Sequence, residues 1–268
     1  MLIDEVISIA REAGRMMIES KDIHVQDKDS KDNHVTNIDV AVQEFLKERL
    51  LALLPGSAFI GEESDYDDTD SEYCWIVDPI DGTTNFIRHI PASVTSIGLT
   101  HNDKPVLGVV FNPYTNEMYS AVEGDGAYLN GERIHVSDRG FENSIICLSW
   151  GAYDKSGSHK AFAVSEELYS MCEDITRTGA AAYELCKIAE GSVEMLFEPI
   201  LYPWDHAAAT AIINEAGGCV EGISGKASDI GTSSSRPIPR RTLTHSVISL
   251  KSTTDQCLCP QPQLWLCS

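Results

Sequence analysis

The sequence predicts a mixed α/β (α+β) fold, and three observations carry the prediction. Two segments near the N-terminus repeat apolar residues at helical spacing. Residues 93–122 hold three apolar runs of strand length, separated by turn residues. Beyond residue 144, short strand-like and helix-like runs alternate. At 268 residues, 43% hydrophobic and 23% charged, the chain is long enough for a sizeable core in one large domain or two modest ones.

Ile3, Val6, Ile7, Ala10, Ala13, Gly14, Met17 and Ile18 share one helical face, which predicts a helix over 2–20. Residues 21–34 are polar and charged, a loop or hairpin in which Lys28 and Lys31 could close over an anion. Val35-Thr36-Asn37-Ile38-Asp39 leads into a second helix with a stripe of Val42, Phe45, Leu46, Leu50, Leu53 and Leu54, stopped at Pro55-Gly56. Asp39 near its start is suited to stabilise the helix N-terminus. Ala58-Phe59-Ile60 is a short strand running into Gly61-Glu62-Glu63, and 64–72 is an acidic surface loop.

The run Cys74–Val77 reads as a strand buried on both faces, ending in two carboxylates, Asp78 and Asp81, with a turn at Pro79 and Gly82. Taken alone, this pattern is also consistent with a plain turn and an end cap. Two carboxylates aimed into one space would repel each other and take up a proton unless a hard cation lies between them. Gly82 and Thr83 offer backbone N–H groups to an anion.

Strands follow at 93–100, 105–111 and 117–122, with Asn130-Gly131 as a hairpin signal, giving a mainly antiparallel sheet. The second half predicts strands at 144–149, 175–178 and 193–197, the last ending in Glu198, and helices at 160–171, 180–190 and 205–216. Asp205 then reads most simply as an N-cap, and His206 as a packed or solvent-facing helix residue.

The formal net charge of −21 and a pI near 4.6 argue against nucleic acid or an anionic membrane as partner. Five of the eight Cys (Cys74, Cys147, Cys172, Cys186 and Cys219) are scattered singly, mostly in apolar surroundings, as reduced thiols of a cytoplasmic protein would be. No leader pattern and no membrane-length apolar run is present, so a cytoplasmic location is expected.

Three fragments in this order and spacing, Gly61-Glu62-Glu63-Ser64, Asp78-Pro79-Ile80-Asp81-Gly82-Thr83-Thr84-Asn85-Phe86 and Trp204-Asp205-His206-Ala207-Ala208 leading to Glu215-Ala216-Gly217-Gly218, resemble the inositol monophosphatase family of Mg²⁺-dependent, lithium-sensitive phosphatases. The resemblance covers roughly residues 1–225. It implies a layered αβαβα sandwich of the sugar-phosphatase type, and a homodimer acting on a small-molecule phosphate ester. It also implies two or three Mg²⁺ ions, with Mn²⁺ as a substitute and Li⁺ and Ca²⁺ as inhibitors.

Carried onto this sequence, the resemblance gives one metal to Glu62, Asp78 and the carbonyl of Ile80. A second goes to Asp78, Asp81 and Asp205, and a third reaches Glu62 through water. Gly82 and Thr83 would bind phosphate through their N–H groups. Asp39 would hydrogen-bond the Thr83 hydroxyl, so that Asp39, Glu62 and Thr83 form the catalytic set. Ala180, Ala181, Glu198 and Asp205 would face the alcohol, and Lys28 would match a loop lysine that approaches the metals. Inositol monophosphate is the substrate that the Thr-Thr-Asn-Phe ending favours. Related sugar or nucleotide phosphatases (fructose 1,6-bisphosphate, adenosine 3′,5′-bisphosphate) and a non-catalytic phosphate-ligand protein are the alternatives.

The catalytic domain is expected over 1–225, with halves at 1–143 and 144–225. Residues 226–268 read as an atypical tail, disordered or the product of a reading-frame change. Residues 227–268 contain no Glu, four basic residues against two Asp, and three of the eight Cys.

Overall fold

The computed structural model describes residues 1–28, 33–64, 71–151, 155–222, 225–226 and 244–248. Its elements, in chain order, begin with α1 (Leu2–Glu19), β1 (Val25–Asp27), β2 (His34–Thr36), α2 (Asn37–Leu53), β3 (Ala58–Gly61), β4 (Tyr73–Asp81) and α3 (Thr83–Ile87). Strands β5 (Val94–His101), β6 (Lys104–Asn112), β7 (Glu117–Val122), β8 (Gly126–Leu129) and β9 (Glu132–Ile134) follow. The second half holds β10 (Ile145–Leu148), α4 (Ser158–Met171), β11 (Asp174–Thr176), α5 (Ala181–Ala189), β12 (Met195–Leu201) and α6 (Pro203–Glu215). It closes with β13 (Glu221–Gly222), β14 (Gly225–Lys226) and β15 (Thr244–Ile248).

Five layers result. The apolar faces of α1 and α2 pack Val6, Ile9, Val42, Leu46 and Leu50 onto one face of a seven-stranded sheet, ordered β3-β4-β5-β6-β7-β8-β9. Its other face meets α5 and α6, which also cover a second sheet, ordered β11-β10-β12-β15-β13-β14. The far side of that sheet is closed by α4 through Ala161 and Leu168 against Ile146, Leu148 and Phe197. The order is the αβαβα sandwich that the resemblance implied. In the first sheet β3 and β4 run parallel and the later neighbours antiparallel.

Two glycines seat α6 on the first sheet. Gly98 and Gly108 are cross-strand partners on β5 and β6. A Cβ on Gly108 would lie 2.1 Å from the Ala208 carbonyl oxygen, and one on Gly98 would lie 2.9 Å from the Ala208 nitrogen. The bare glycine pair and the small Ala207-Ala208 allow backbone-close contact, which places the start of α6 at the end of β4.

The loop or hairpin read over 21–34 is a hairpin, β1–β2, paired antiparallel with Asp27 opposite His34. Other elements differ from the sequence reading. Strand β4 does not stop at Val77 but continues through Asp81 beside β5, with a register shift between Asp78 and Asp81. Pro79 sits in that irregular stretch, where the ladder tolerates a residue without an N–H. Glu198 lies inside β12 rather than at its end, and the strand's register against β15 shifts between Glu198 and Leu201. Asp205 is the third residue of α6, not its N-cap; Tyr202 holds the cap position and donates its N–H to the Asp205 carboxylate at 2.6 Å.

Cys74, Cys147 and Cys186 are buried free thiols, whereas Cys219 is disulfide-bonded, against the expectation of a reduced thiol. Residues 244–248, within the segment expected to be atypical, form β15 between β12 and β13. No helix among the described residues is long and apolar enough to cross a membrane.

Candidate active site

The site is built where β4 ends. Asp78, Ile80 and Asp81 are buried at the end of the strand. The Ile80 N–H donates to Asp78 Oδ1 at 3.0 Å, which fixes the Asp78 carboxylate beside its own backbone. The chain then turns through Gly82 at φ +81°. A Cβ there would meet Ala180 Cβ at 3.0 Å and the Ala92 carbonyl at 3.1 Å, so both the conformation and the space require glycine. The turn opens into the five-residue α3. Asn85 secures it by donating its amide to the carbonyls of Ala92 and Thr178, each at 2.8 Å.

Asp39 enters from α2. It is fully buried and forms a capping box with Thr36, accepting from the Thr36 N–H at 2.9 Å and from the Thr36 hydroxyl. Its other oxygen faces the Thr83 hydroxyl at 3.3 Å, while that hydroxyl also lies 3.1 Å from the Ile80 carbonyl. One hydroxyl proton serves one acceptor at a time, so Thr83 can donate to either and keep lone pairs toward the cleft.

Glu62, Asp78, Ile80, Asp81, Gly82 and Thr83 all line one open cleft, together with Ala180, Ala181, Glu198 and Asp205. These residues come from the end of β3, the end of β4, the start of α5, the middle of β12 and the start of α6. Thus every residue the sequence reading placed in the site lines this cleft, except Asp39, which stands behind Thr83. Lys28 reaches the cleft edge and is ion-paired to Glu62 at 2.8 Å and to Glu63 at 2.5 Å. Lys31 lies outside the described residues.

The electrostatics are those of crowded acids. Burial first, then the charges of Glu62, Asp81, Asp205 and Asp39, push the Asp78 carboxyl well above its usual range. Burial pushes Asp81 up to about 7 although the N–H groups of Ala182 and Tyr183 oppose the rise, joined by that of Ala181. Asp39 is raised to about 6 and Glu198 to about 7, burial again being the first cause. His206 is fully enclosed, its pKa lowered by burial to about 4, and its ring faces Thr210 on the same helix; it is a packed core residue.

Among the described residues no three His, Cys, Asp or Glu side chains already stand in a ligating arrangement. Other donors hold each carboxylate: Ile80 N–H on Asp78, the first turn of α5 on Asp81, Tyr202 N–H on Asp205 and Lys28 on Glu62. The donor set fits a hard divalent cation all the same. It is oxygen only, and it buries several acids within reach of one another's charge, a repulsion that such a cation relieves.

Three cleft residues had no signal in the sequence. Glu184 is buried and accepts from the Thr178 hydroxyl at 3.0 Å, the Gly179 N–H at 2.8 Å and the Thr178 N–H, shaping the turn before α5. His34 and Arg177 also line the cleft. The spacing of an isolated basic residue in a loop or short strand says nothing of which wall it will face.

Fold and cleft together place the chain in the layered sugar-phosphatase class. The chain belongs to the inositol monophosphatase family, whose model matches residues 2–261 and so runs past residue 225, where the resemblance was expected to end. It is 33% identical over 230 residues to the Nus factor SuhB of Escherichia coli (strain K12), covering 84% of this chain and 86% of that one. It is 37% identical over 201 residues to inositol monophosphatase 2 of Saccharomyces cerevisiae, covering 70% and 69%. Among solved structures, the extragenic suppressor protein suhB from Bartonella henselae superposes with a TM-score of 0.81 at 29% identity, covering 91% and 92%.

Proposed function

We propose that the chain is a Mg²⁺-dependent phosphate-monoester hydrolase acting on inositol monophosphate. The observation that carries the reading is one cleft in which buried Asp78 lies within reach of the charges of Glu62, Asp81 and Asp205, with the Thr83–Asp39 contact in its wall. Glu62, Asp78 and the Ile80 carbonyl would hold one cation, Asp78, Asp81 and Asp205 a second, and Glu62 a third through water. Bound there, Mg²⁺ supplies charge neutralisation and Lewis acidity for a reaction that is among the slowest uncatalysed ones.

The chain's own groups do the positioning. The N–H groups of Gly82 and Thr83 receive phosphoryl oxygens. The Thr83 hydroxyl, backed by Asp39, orients the attacking water, and Glu62 shares that task. A proton leaving the water has Asp39 within relay distance through Thr83, and a carboxyl near 6 accepts it close to neutral pH. The water oxygen bonds to phosphorus as the ester oxygen departs in line and takes a proton from solvent water to give the alcohol, and no covalent phosphoenzyme forms. The alcohol's hydroxyls meet Glu198, Asp205 and the Ala181 backbone. Acceptance of Mn²⁺, inhibition by Li⁺ and Ca²⁺, assembly as a homodimer and a cytoplasmic location belong to the same reading.

Relatives named Nus factor SuhB favour a second reading, a binding protein on the same fold. One assay separates the two: phosphate release from inositol 1-phosphate, fructose 1,6-bisphosphate and adenosine 3′,5′-bisphosphate, with Mg²⁺ and with EDTA. Release that EDTA abolishes is expected. No release from any ester by a folded sample would leave the binding reading.

A further inference from the structure

Helix α5 begins without a side-chain cap of its own. The N–H groups of a first helical turn have no partner inside the helix, and in α5 a carboxylate from the end of β4 takes them. The Ala181 N–H donates to Asp81 Oδ1 at 3.1 Å, and the N–H groups of Ala182 and Tyr183 donate to Oδ2 at 2.7 and 3.4 Å. The rotation and height of α5 therefore set the direction in which Asp81 presents its remaining lone pairs. The apolar face of the helix, with Ala182, Leu185, Cys186 and Ile188, lies in the core between the two sheets. Apolar burial is non-directional, so it holds the helix down without fixing its rotation as hydrogen bonds do.

A polar cluster outside the cleft supplies that fixing. Tyr183 and Lys187 stand one turn apart on α5 and share one acceptor, Glu117 at the start of β7. The Tyr183 hydroxyl donates to Glu117 Oε2 at 2.6 Å, and Lys187 Nζ donates to Oε1 at 2.7 Å. Lys187 also donates to the Tyr119 hydroxyl at 2.9 Å and to Glu190 Oε1 at 3.1 Å, while the Tyr119 hydroxyl donates to Glu190 Oε2 at 2.5 Å. The Lys187 ammonium lies 4.8 Å from the centroid of the Tyr183 ring, and Tyr119 and Tyr183 are buried. No member of the cluster is among the described residues that line the cleft. Its link to the cleft is Tyr183, whose N–H faces Asp81 and whose hydroxyl faces Glu117.

We propose that Tyr183 is a positioning residue for Asp81: with Glu117 and Lys187 it clamps α5 to β7, and the clamp holds the Asp81 carboxylate in the orientation that receives a divalent cation. This rests on the cation-dependent reading of the cleft and adds a control of cation affinity from outside it. Hydrogen-bonded partners of a metal-binding group orient it and tune its affinity. For Asp81 those partners are backbone N–H groups, which no substitution removes cleanly, so the clamp that aims them is the part of the device open to test.

The test titrates Mg²⁺ into ¹⁵N-labelled wild type, Tyr183→Phe and Lys187→Met, without ester, and follows the amide resonances. Tyr183→Phe removes one hydroxyl and keeps the ring and the N–H; Lys187→Met removes the ammonium and keeps most of the stem. In each variant the Kd for Mg²⁺ rises about tenfold, the low end of what losing an outer partner of a metal-binding group costs. The Ala182 amide resonance moves in the metal-free variants, because its acceptor is Asp81. A cluster that served stability alone would lower the melting temperature and leave the Mg²⁺ affinity as it is. A Kd within about twofold of wild type in a folded variant overturns the inference, and where one variant does not fold the other decides. Wild type that binds Mg²⁺ but hydrolyses no ester would fail the phosphatase reading alone, and wild type that takes up no Mg²⁺ would overturn the cation reading and this inference together.

Discussion

Asp78→Asn separates the chemistry of the cleft from its folding. The Asp78 side chain is 2% exposed and sits within reach of the charges of Glu62, Asp81, Asp205 and Asp39. The asparagine is nearly the same size, and its carbonyl oxygen can still accept the Ile80 N–H that Asp78 accepts at 3.0 Å. In EDTA the substitution thus removes a buried acid whose ionisation burial and its neighbours oppose, and no backbone hydrogen bond, so the variant should melt at or above the wild-type temperature. With Mg²⁺ the order should reverse. At a concentration of about 100 Kd a ligand that binds only the folded chain adds about 2.7 kcal/mol. At about 2–4 °C per kcal/mol for a chain of this size, wild type should gain roughly 5–10 °C. The variant, lacking a carboxylate shared by two proposed cation positions, should gain little. Hydrolysis should fall about 10³-fold or more, roughly 4 kcal/mol of transition-state stabilisation. The assays are thermal unfolding with and without Mg²⁺ and phosphate release under saturating ester. Near-normal turnover would falsify the site. Equal destabilisation in EDTA and in Mg²⁺ would show that Asp78 is a packing residue and not part of a crowd of acids awaiting a cation.

Three further outcomes follow from the same geometry. Thr83→Ala should lower kcat by about 10²-fold or more while Thr83→Ser recovers most of it, because only the hydroxyl that faces Asp39 and Ile80 is at stake; equal activity of the two variants would exclude the hydroxyl from the reaction. Gly108→Ala should cost about 1–3 kcal/mol or more by overpacking, since its methyl would lie 2.1 Å from a backbone oxygen of α6, and a variant that unfolds in urea like wild type would contradict the close seating of that helix. In EDTA, stability should fall as pH rises from about 4.5 to about 7. Glu198 and Asp39 have folded pKa values of about 7 and about 6, raised above their unfolded values, so their contribution is whole below the unfolded pKa and is lost as pH climbs through the folded one. For Glu198 alone the loss is of order 3 kcal/mol; urea titrations at pH 5 and pH 8 measure it, Glu198→Gln should flatten the dependence, and a metal-free protein more stable at pH 8 would reverse the sign.

What the sequence disclosed and what it concealed divide along a physical line. Helices α1 and α2 were legible because each buries one face, so the period of 3.6 is written into Val6, Ile9, Ala10 and Ala13 or Val42, Leu46 and Leu50. Motif residues were legible because they crowd together in sequence at element ends: Asp78, Asp81, Gly82 and Thr83 span six positions. The misplaced boundaries lie where tertiary pairing overrides local signals. Pro79 reads as a stop, yet the neighbouring β5 carries β4 past it to Asp81. Asp205 reads as a cap, yet Pro203 at the first turn moves the helix start and leaves Asp205 as the third residue, bonded back to Tyr202.

The concealed part is the alcohol side of the cleft. Arg177 and Glu184 reach it from a loop and a helix, and nothing in their spacing ties them to Glu198, which the family resemblance alone had set there. That asymmetry has a chemical reason. The proposed phosphoryl half is built from residues close in the chain, because Gly82 and Thr83 would use their backbone and a backbone site needs a contiguous turn. The alcohol half is built from side chains alone, so any element that passes nearby can supply one. The half proposed to handle phosphate is therefore readable from one stretch of sequence, whereas the proposed alcohol half was legible only through the family resemblance, and its Arg177 and Glu184 only from the fold.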